Sequence, residues 1–429
     1  MRKILFFFAL TVLTDFLGAQ TIQEISTGLG YKKQSYVNLA AGTEKIVDNT
    51  AWDIAFTVFG QQDAGVFVNE SSGSSMGQPL PQVELYDALT DDFTDTPDPA
   101  SITDFRLYNS EKSWNYGAFN ENRDPGDAFD FGWGNYNFAT NQVVGSKVYV
   151  VKLRNAQYRK IKIESLNGTT YTFKYANLNG TGEQTKTVNK ADFSGKTLAY
   201  FNLETGAFVD VEPASGFDIV FERYTTQLWD PGTLTYIPYD VTGILHARGA
   251  QAAEADGVDP AGITFAEVTD SLKTDLDVIG HDWKYFSGTE WSVDLDKVFF
   301  LKTAANRVWK LYFIDFEGST TGKAILEKTD LGTVSGVSSP ESLGIQALTY
   351  PNPATEEAYV ALDLPNGFAQ EGVLQVTDLH GRAVAQHNVR LNAGFQVLSV
   401  PVSAYQSGMY ALQLQLPGQL ISLGKLIKQ

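Results

Sequence analysis

Tyr410-Ala411-Leu412-Gln413-Leu414-Gln415-Leu416 alternates between two faces residue by residue, and Ala358-Tyr359-Val360-Ala361-Leu362-Asp363-Leu364 follows a similar pattern. Such alternation marks half-buried strands, whose successive side chains point to opposite faces of a sheet. Just upstream stands Tyr350-Pro351-Asn352-Pro353. Proline has no amide hydrogen for a ladder, so Pro351 and Pro353 belong to an entry segment and not to a central strand. The C-terminal part of the chain therefore reads as a small antiparallel sandwich of about seven strands.

Further signals follow in order. Val373-Leu374-Gln375-Val376-Thr377-Asp378 leads into the turn Leu379-His380-Gly381-Arg382; then come Gly408-Met409-Tyr410 and the basic end Lys425-Leu426-Ile427-Lys428. With the Tyr-Pro-Asn-Pro start, this series resembles the type A sorting domain of the type IX secretion system of certain Gram-negative bacteria. The resemblance covers residues 348–429, after a turn-prone linker over 333–347. Its motif positions fall on Tyr350, Pro351, Asn352, Pro353, Gly381, Gly408, Tyr410 and Lys425. It implies docking on the outer-membrane export machinery, followed by removal of the domain.

The other end is consistent with export. Met1-Arg2-Lys3 is basic, Ile4 to Leu13 is apolar, and Leu17-Gly18-Ala19-Gln20 supplies small residues for cleavage. Residues 1–19 thus read as a secretory signal peptide, too short to span a membrane. No other apolar run is long enough for a transmembrane helix. The expected route runs through the periplasm to the outer cell surface or the medium.

The 429 residues contain no cysteine, which excludes disulfides, thiolate metal sites and a cysteine nucleophile. The net charge of −18 repels phosphate backbones and argues against a nucleic-acid partner. Many aromatic residues stand beside many Gly, Asn and Thr, a composition of strands separated by turns.

Residues 22–331 read as two copies of one unit. Ser35-Tyr36-Val37-Asn38-Leu39-Ala40-Ala41-Gly42 answers Ala199-Tyr200-Phe201-Asn202-Leu203-Glu204-Thr205-Gly206. Trp52-Asp53-Ile54-Ala55-Phe56 answers Phe217-Asp218-Ile219-Val220-Phe221, and Gly65-Val66-Phe67-Val68 answers Gly243-Ile244-Leu245. Ser113-Trp114-Asn115-Tyr116 is matched to Asp282-Trp283-Lys284-Tyr285. Val148 to Gly168 aligns without a gap on Val298 to Gly318, placing Lys160 on Lys310. The expected units are 20–190 and 191–332, with a linker near Asn189 to Lys196. The first copy carries an excess containing the acidic, aromatic segment Asn122 to Tyr136. That segment reads as a cover over an edge strand or as a ligand-contacting lip.

Tyr200-Phe201-Asn202-Leu203, Phe217 to Tyr224, and the ending Val298 to Phe313 resemble HmuY-type haem-binding surface proteins. These are all-β proteins that take haem from host carriers and hold it with axial side chains. The resemblance implies haem as cofactor and a host haem carrier as partner. The ligand position before the Val-Phe-Phe strand falls on Tyr285, with His281 close by. Tyrosinate and imidazole both ligate haem iron. In the first copy that position falls on Asn135, a poor ligand. His246 reads as a rim histidine. Trp283, Tyr285 and Trp291 could also form an aromatic platform for a flat ligand or sugar ring.

Enzyme signatures fail. Gly73-Ser74-Ser75-Met76-Gly77 matches G-x-S-x-G but lies in a Ser/Gly/Pro loop without a following helix. Gly195-Lys196-Thr197 lacks the first glycine of a phosphate loop, because Lys190 stands there. Asp124, Asp127 and Asp130 do not have EF-hand spacing. The expectation is an exported all-β, non-enzymatic protein: two similar antiparallel β units in tandem, then a small immunoglobulin-like β-sandwich. It binds haem or another flat hydrophobic ligand, or serves as an adhesive or structural surface protein whose units have lost the ligand.

Overall fold

The computed structural model describes residues 20–60, 63–75, 78–333, 337–338, 340–378, 382–416 and 419–429. The expected signal peptide and Gly381 lie outside these residues. The fold is nearly all β, as expected, built from several antiparallel sheets. No helix among the described residues is long and apolar enough to cross a membrane.

The body consists of four stacked layers. The first sheet carries eight strands between Glu84 and Asn189, including Tyr149–Lys152, Tyr158–Asn167 and Thr170–Asn177. The second runs in the order Ala207–Val209, Leu198–Asn202, Ile54–Thr57, Val66–Val68. The third runs Thr43–Asp48, Lys33–Asn38, Ile219–Asp230, Thr235–His246. The fourth runs Gln20–Ser26, Lys323–Thr333, Arg307–Phe316, Val298–Lys302, Gln251–Ala255. One core joins the first two sheets around Phe56, Trp133, Tyr149, Tyr171 and Phe201. A second joins the last two around Phe221, Trp283, Phe299 and Phe313. A third lies between the middle sheets, where Tyr36, Trp52, Tyr200, Phe217 and Val220 meet. The middle strands are therefore covered on both sides, and every residue of Ile54–Thr57 and Leu198–Asn202 is buried. Continuous rather than alternating apolar runs are what such strands require.

The sequence repeat coincides with repeated pairing. In the second sheet Phe201 faces Ile54 and Tyr200 faces Ala55. In the third, Val37 faces Ile219 and Tyr36 faces Val220. Asp53 Oδ2 accepts from the Leu203 amide at 2.7 Å, and Asp218 Oδ2 accepts from the Leu39 amide at 2.8 Å. Lys160 faces Val150 as Lys310 faces Phe300, and both long strands shift register one turn later, at Ile163/Ser165 and Phe313/Asp315.

The boundary expected at 190/191 does not divide the sheets. Strand Lys33–Asn38 completes a sheet with Ile219–Asp230, whereas Leu198–Asn202 completes one with Ile54–Thr57. Gln20–Ser26 closes the fourth sheet against Lys323–Thr333. The leading strands of each copy thus finish the sandwich of the other. Residues 189–196, where a linker was expected, are exposed or half-buried except for one anchor. Lys190 is fully buried in the first sandwich, its Nζ donating to Gly60 O at 2.7 Å and Asp63 O at 2.6 Å.

One pairing of the repeat also differs. Trp133, not Trp114, occupies the place of Trp283. Both are fully buried, and their indoles donate to backbone carbonyls, Ala64 at 2.8 Å and Gly280 at 3.1 Å. Each stands at the head of a short hairpin, Gly134–Asn137 with Gln142–Gly145 and Lys284–Phe286 with Trp291–Val293. Trp133 to Val148 and Trp283 to Val298 are the same length, so the excess of the first copy lies before Trp133.

The C-terminal domain is a separate sandwich with six strands among the described residues. Two are long: Glu357–Asp378 pairs with Ala383–Pro401 through a register break between Leu364 and Ala369, so one hairpin serves both faces. Its core gathers Val360, Leu362, Leu374, Leu412, Leu414 and Leu426, the inward residues of the alternating stretches. The domain touches the body where Gln346 Nε2 donates to Asp63 Oδ1 at 3.0 Å.

Candidate ligand cleft of the second sandwich

The hairpin Lys284–Phe286/Trp291–Val293 stands on the rim of the second sandwich. Its first strand is buried at its first residue and open at the two that follow. Lys284 turns inward and is 8% exposed, whereas Tyr285 and Phe286 are 56% and 55% exposed. Phe286 lies opposite Trp291, their ring centroids 5.6 Å apart. Below them Trp283 stacks on Phe313 at 3.8 Å and fixes the base of the hairpin.

His281 and Tyr285 both line one open cleft of about 640 Å³, together with Phe286, Trp291, Tyr239 and Arg223. Burial, and then the nearby Lys284 ammonium, hold the His281 imidazole below its usual range, so it is neutral at neutral pH. Lys284 Nζ donates to Thr242 O and, at 3.2 Å, to His281 O; it lies 4.4 Å from the Trp283 ring centre. Burial pulls this amine down to about 7, so it titrates near neutrality. Arg223 donates to Asp240 O at 3.3 Å and lies 5.8 Å over Tyr31. The cleft thus combines aromatic walls, a neutral imidazole, a phenol and two basic groups. Such a set can clasp a flat ring, offer N and O donors to a metal at its centre, and pair with acidic substituents.

Lys284, Arg223, Phe286 and Tyr239 escaped the sequence reading. The first and third were detectable as the immediate neighbours of Tyr285 in one short strand. Arg223 and Tyr239 arrive from a hairpin distant in sequence.

Other candidates fall elsewhere. His246 is not on a rim: it is 1% exposed, with Nδ1 3.0 Å from Ala247 O, and its carbonyl accepts the Trp114 indole hydrogen at 3.0 Å. Asn135 pairs with Val144 in the hairpin equivalent to that of Tyr285. Asp124, Asp127 and Asp130 each accept from a backbone amide two residues on, at 2.8 Å, and so serve as turn formers. Ser74 and Ser75 form a two-residue strand, while Met76 and Gly77 lie outside the described residues.

In the C-terminal domain Asn352 explains the Tyr-Pro-Asn-Pro entry. Its Nδ2 donates to Lys425 O and its Oδ1 accepts from the Ile427 amide, both at 2.8 Å. The entry segment is thereby tied to the last strand. Tyr350 packs beside Tyr359 at 5.7 Å, and Tyr410 is buried with its hydroxyl on Gln406 O at 2.7 Å.

The family described as the secretion system C-terminal sorting domain matches residues 348–429. Such a tail marks a secreted or cell-surface protein delivered by type IX secretion. The match covers the C-terminal domain and not the body, whose resemblance to HmuY-type proteins it leaves unsupported. No curated protein matches the chain. Among solved structures, the dimeric latent PorU of Porphyromonas gingivalis overlaps 95% of this chain and 34% of its own, at 10% identity and a TM-score of 0.18. This chain therefore spans about a third of that protein. A truncated ectodomain of the C. elegans fusion protein EFF-1 overlaps 96% of this chain and 95% of its own, at 9% identity and a TM-score of 0.15. Neither overlap is close enough to bear on the fold.

Proposed function

We propose that this exported chain is a non-catalytic binding protein that holds a flat hydrophobic ligand, haem foremost, in the cleft of its second sandwich. The observation that carries this reading is the convergence of His281 and Tyr285 on one aromatic cleft. In this reading the imidazole and the phenolate face the metal of the bound ring, and Phe286, Trp291 and Tyr239 cover its apolar surface. Arg223 and Lys284 meet acidic substituents. A host haem carrier is the matching partner. The sorting domain supplies the address and takes no part in ligand binding.

Titrating haemin into the full chain tests the reading. A saturable Soret band is expected, shifted or weakened in His281→Ala and Tyr285→Phe. Absence of a Soret change in the wild type, or identical spectra in both variants, would overturn it.

A second reading rests on a different element. The hairpin Ile219–Asp230/Thr235–His246 outruns its neighbour, because Lys33–Asn38 pairs only with Ile219 to Phe221. Its projecting part exposes Trp229 at 52%, Leu234 at 72% and Tyr236 at 63%. An adhesive surface protein would use such a tip. Preserved surface attachment after a Trp229→Ser/Tyr236→Ser change would exclude that use.

A further inference from the structure

A second cavity, separate from the cleft, lies in the seam between the second and third sheets. It is small, about 50 Å³, and is walled by the indoles of Trp52 and Trp114 and the phenol rings of Tyr36 and Tyr200. Two buried glutamates line it, Glu70 at 5% exposure and Glu222 at 9%. Glu70 Oε1 accepts from the Asn109 amide at 2.8 Å, and Glu222 Oε2 accepts from the Gln34 amide. Neither carboxyl forms an ion pair with a Lys or Arg among the described residues. Arg223, which also lines the cavity, is directed at Asp240, 3.8 Å from its carboxylate. Tyr224 lines the same space and is 6% exposed, and its hydroxyl has no hydrogen-bond partner among the described residues.

A carboxyl group removed from water must keep a proton or be offset by a cation; Arg106 offsets the burial of Glu70 only in part, and burial is the largest influence on both glutamates. Burial pushes Glu70 up to about 8 and Glu222 up to about 7, so both are poised to exchange a proton near neutrality. Aromatic faces attract cations most strongly when water is excluded. A water needs roughly 10–15 Å³ of such space, so the cavity holds only a few heavy atoms. Among the described residues no third acidic or histidine ligand joins the two to form a metal cluster. We propose that the seam cavity is a binding site for a small primary ammonium ion of about methylammonium size. Its N–H groups are taken by Glu222, Glu70 and the Tyr224 oxygen, and its carbon rests against the tryptophan rings.

Charge balance requires that ammonium uptake release a carboxylic proton near neutral pH. Affinity therefore rises with pH through the range of the two glutamates and is lost in acid. The other titratable groups facing the site are Tyr36, Tyr200 and Glu212 from the strands on either side, and Arg106, Glu111, Asp240 and Asp277 from the surrounding loops and hairpin.

The test uses the full chain, titrated with methylammonium chloride against sodium chloride at equal ionic strength. Tryptophan fluorescence and calorimetry in two buffers of different ionisation heat are read together. A saturable response with proton release is expected, absent with the bulkier tetramethylammonium and weakened about tenfold or more in Glu222→Gln and Glu70→Gln. Cooperative melting shows that each isosteric variant is folded; if one is not, the buffer dependence of the wild-type heat decides alone. A response equal to that of sodium chloride, one without proton release, or one unchanged in both folded variants would overturn the site.

Discussion

Glu222 and Lys284 are a buried acid and a buried base without a full counter-charge, and burial shifts them in opposite directions. The folded Glu222 keeps its proton up to about 7, against an ordinary 4.5. Between these values the unfolded chain has lost a proton that the folded chain holds, so this residue makes stability fall as pH rises. Glu222→Gln should match the wild type in mild acid and exceed it above neutrality by about 1–3 kcal/mol, measured by denaturant melts across pH. Lys284 has the reverse sign. Its folded value of about 7 lies below the ordinary 10.5, so stability rises with pH across that window. In Lys284→Met this rise should disappear, and an unchanged slope would place the burial of the amine in doubt.

At the scale of elements, the two sandwiches repeat their fastenings. Asp53 and Asp218 each accept a backbone amide across a sheet joint, at nearly equal distances. Replacing either by alanine leaves a buried amide without its acceptor, at a cost of about 1–3 kcal/mol. Asp53→Ala should cost more than Asp218→Ala, because it also removes the partner of the largely buried Arg154, 3.2 Å away; equal costs in chemical denaturation would show that this pair adds nothing. Asn352 performs a comparable task in the C-terminal domain by bonding both sides of its amide to the last strand. Asn352→Ala should loosen that strand by about 1–2 kcal/mol and raise amide exchange over 425–428, leaving the body unchanged.

The whole molecule is held together by exchanged strands. Residues 20–48 supply an edge of the fourth sheet and two strands of the third, yet they precede the first sandwich in sequence. Their removal should unfold the second sandwich and the seam while 54–202 keeps its protected amides; limited proteolysis should then cut within 219–333. Retained protection there would refute the exchanged arrangement. Deleting 350–429 acts differently, since the body has its own cores. The truncated chain should fold and accumulate in the periplasm, and its appearance in the medium would contradict the role of the tail.

Local pattern alone determined much of this protein. Alternation, turn residues and self-similarity are encoded over a few residues, so the all-β class, the C-terminal sandwich and the equivalence of Asp53 with Asp218 were legible in the chain. Tertiary structure decided the rest, because pairing partners far apart in sequence leave no local trace. Either copy of the Tyr-x-Asn-Leu strand could have joined its own repeat, and the patterns of the two copies are interchangeable at that edge. Only packing placed Lys33–Asn38 on Ile219–Asp230, buried His246 and Lys190, and brought Arg223 and Tyr239 to His281. The seam cavity is of the same kind: Glu70 and Glu222 look like ordinary surface acids until two sheets close over them and remove the water that would have kept them charged.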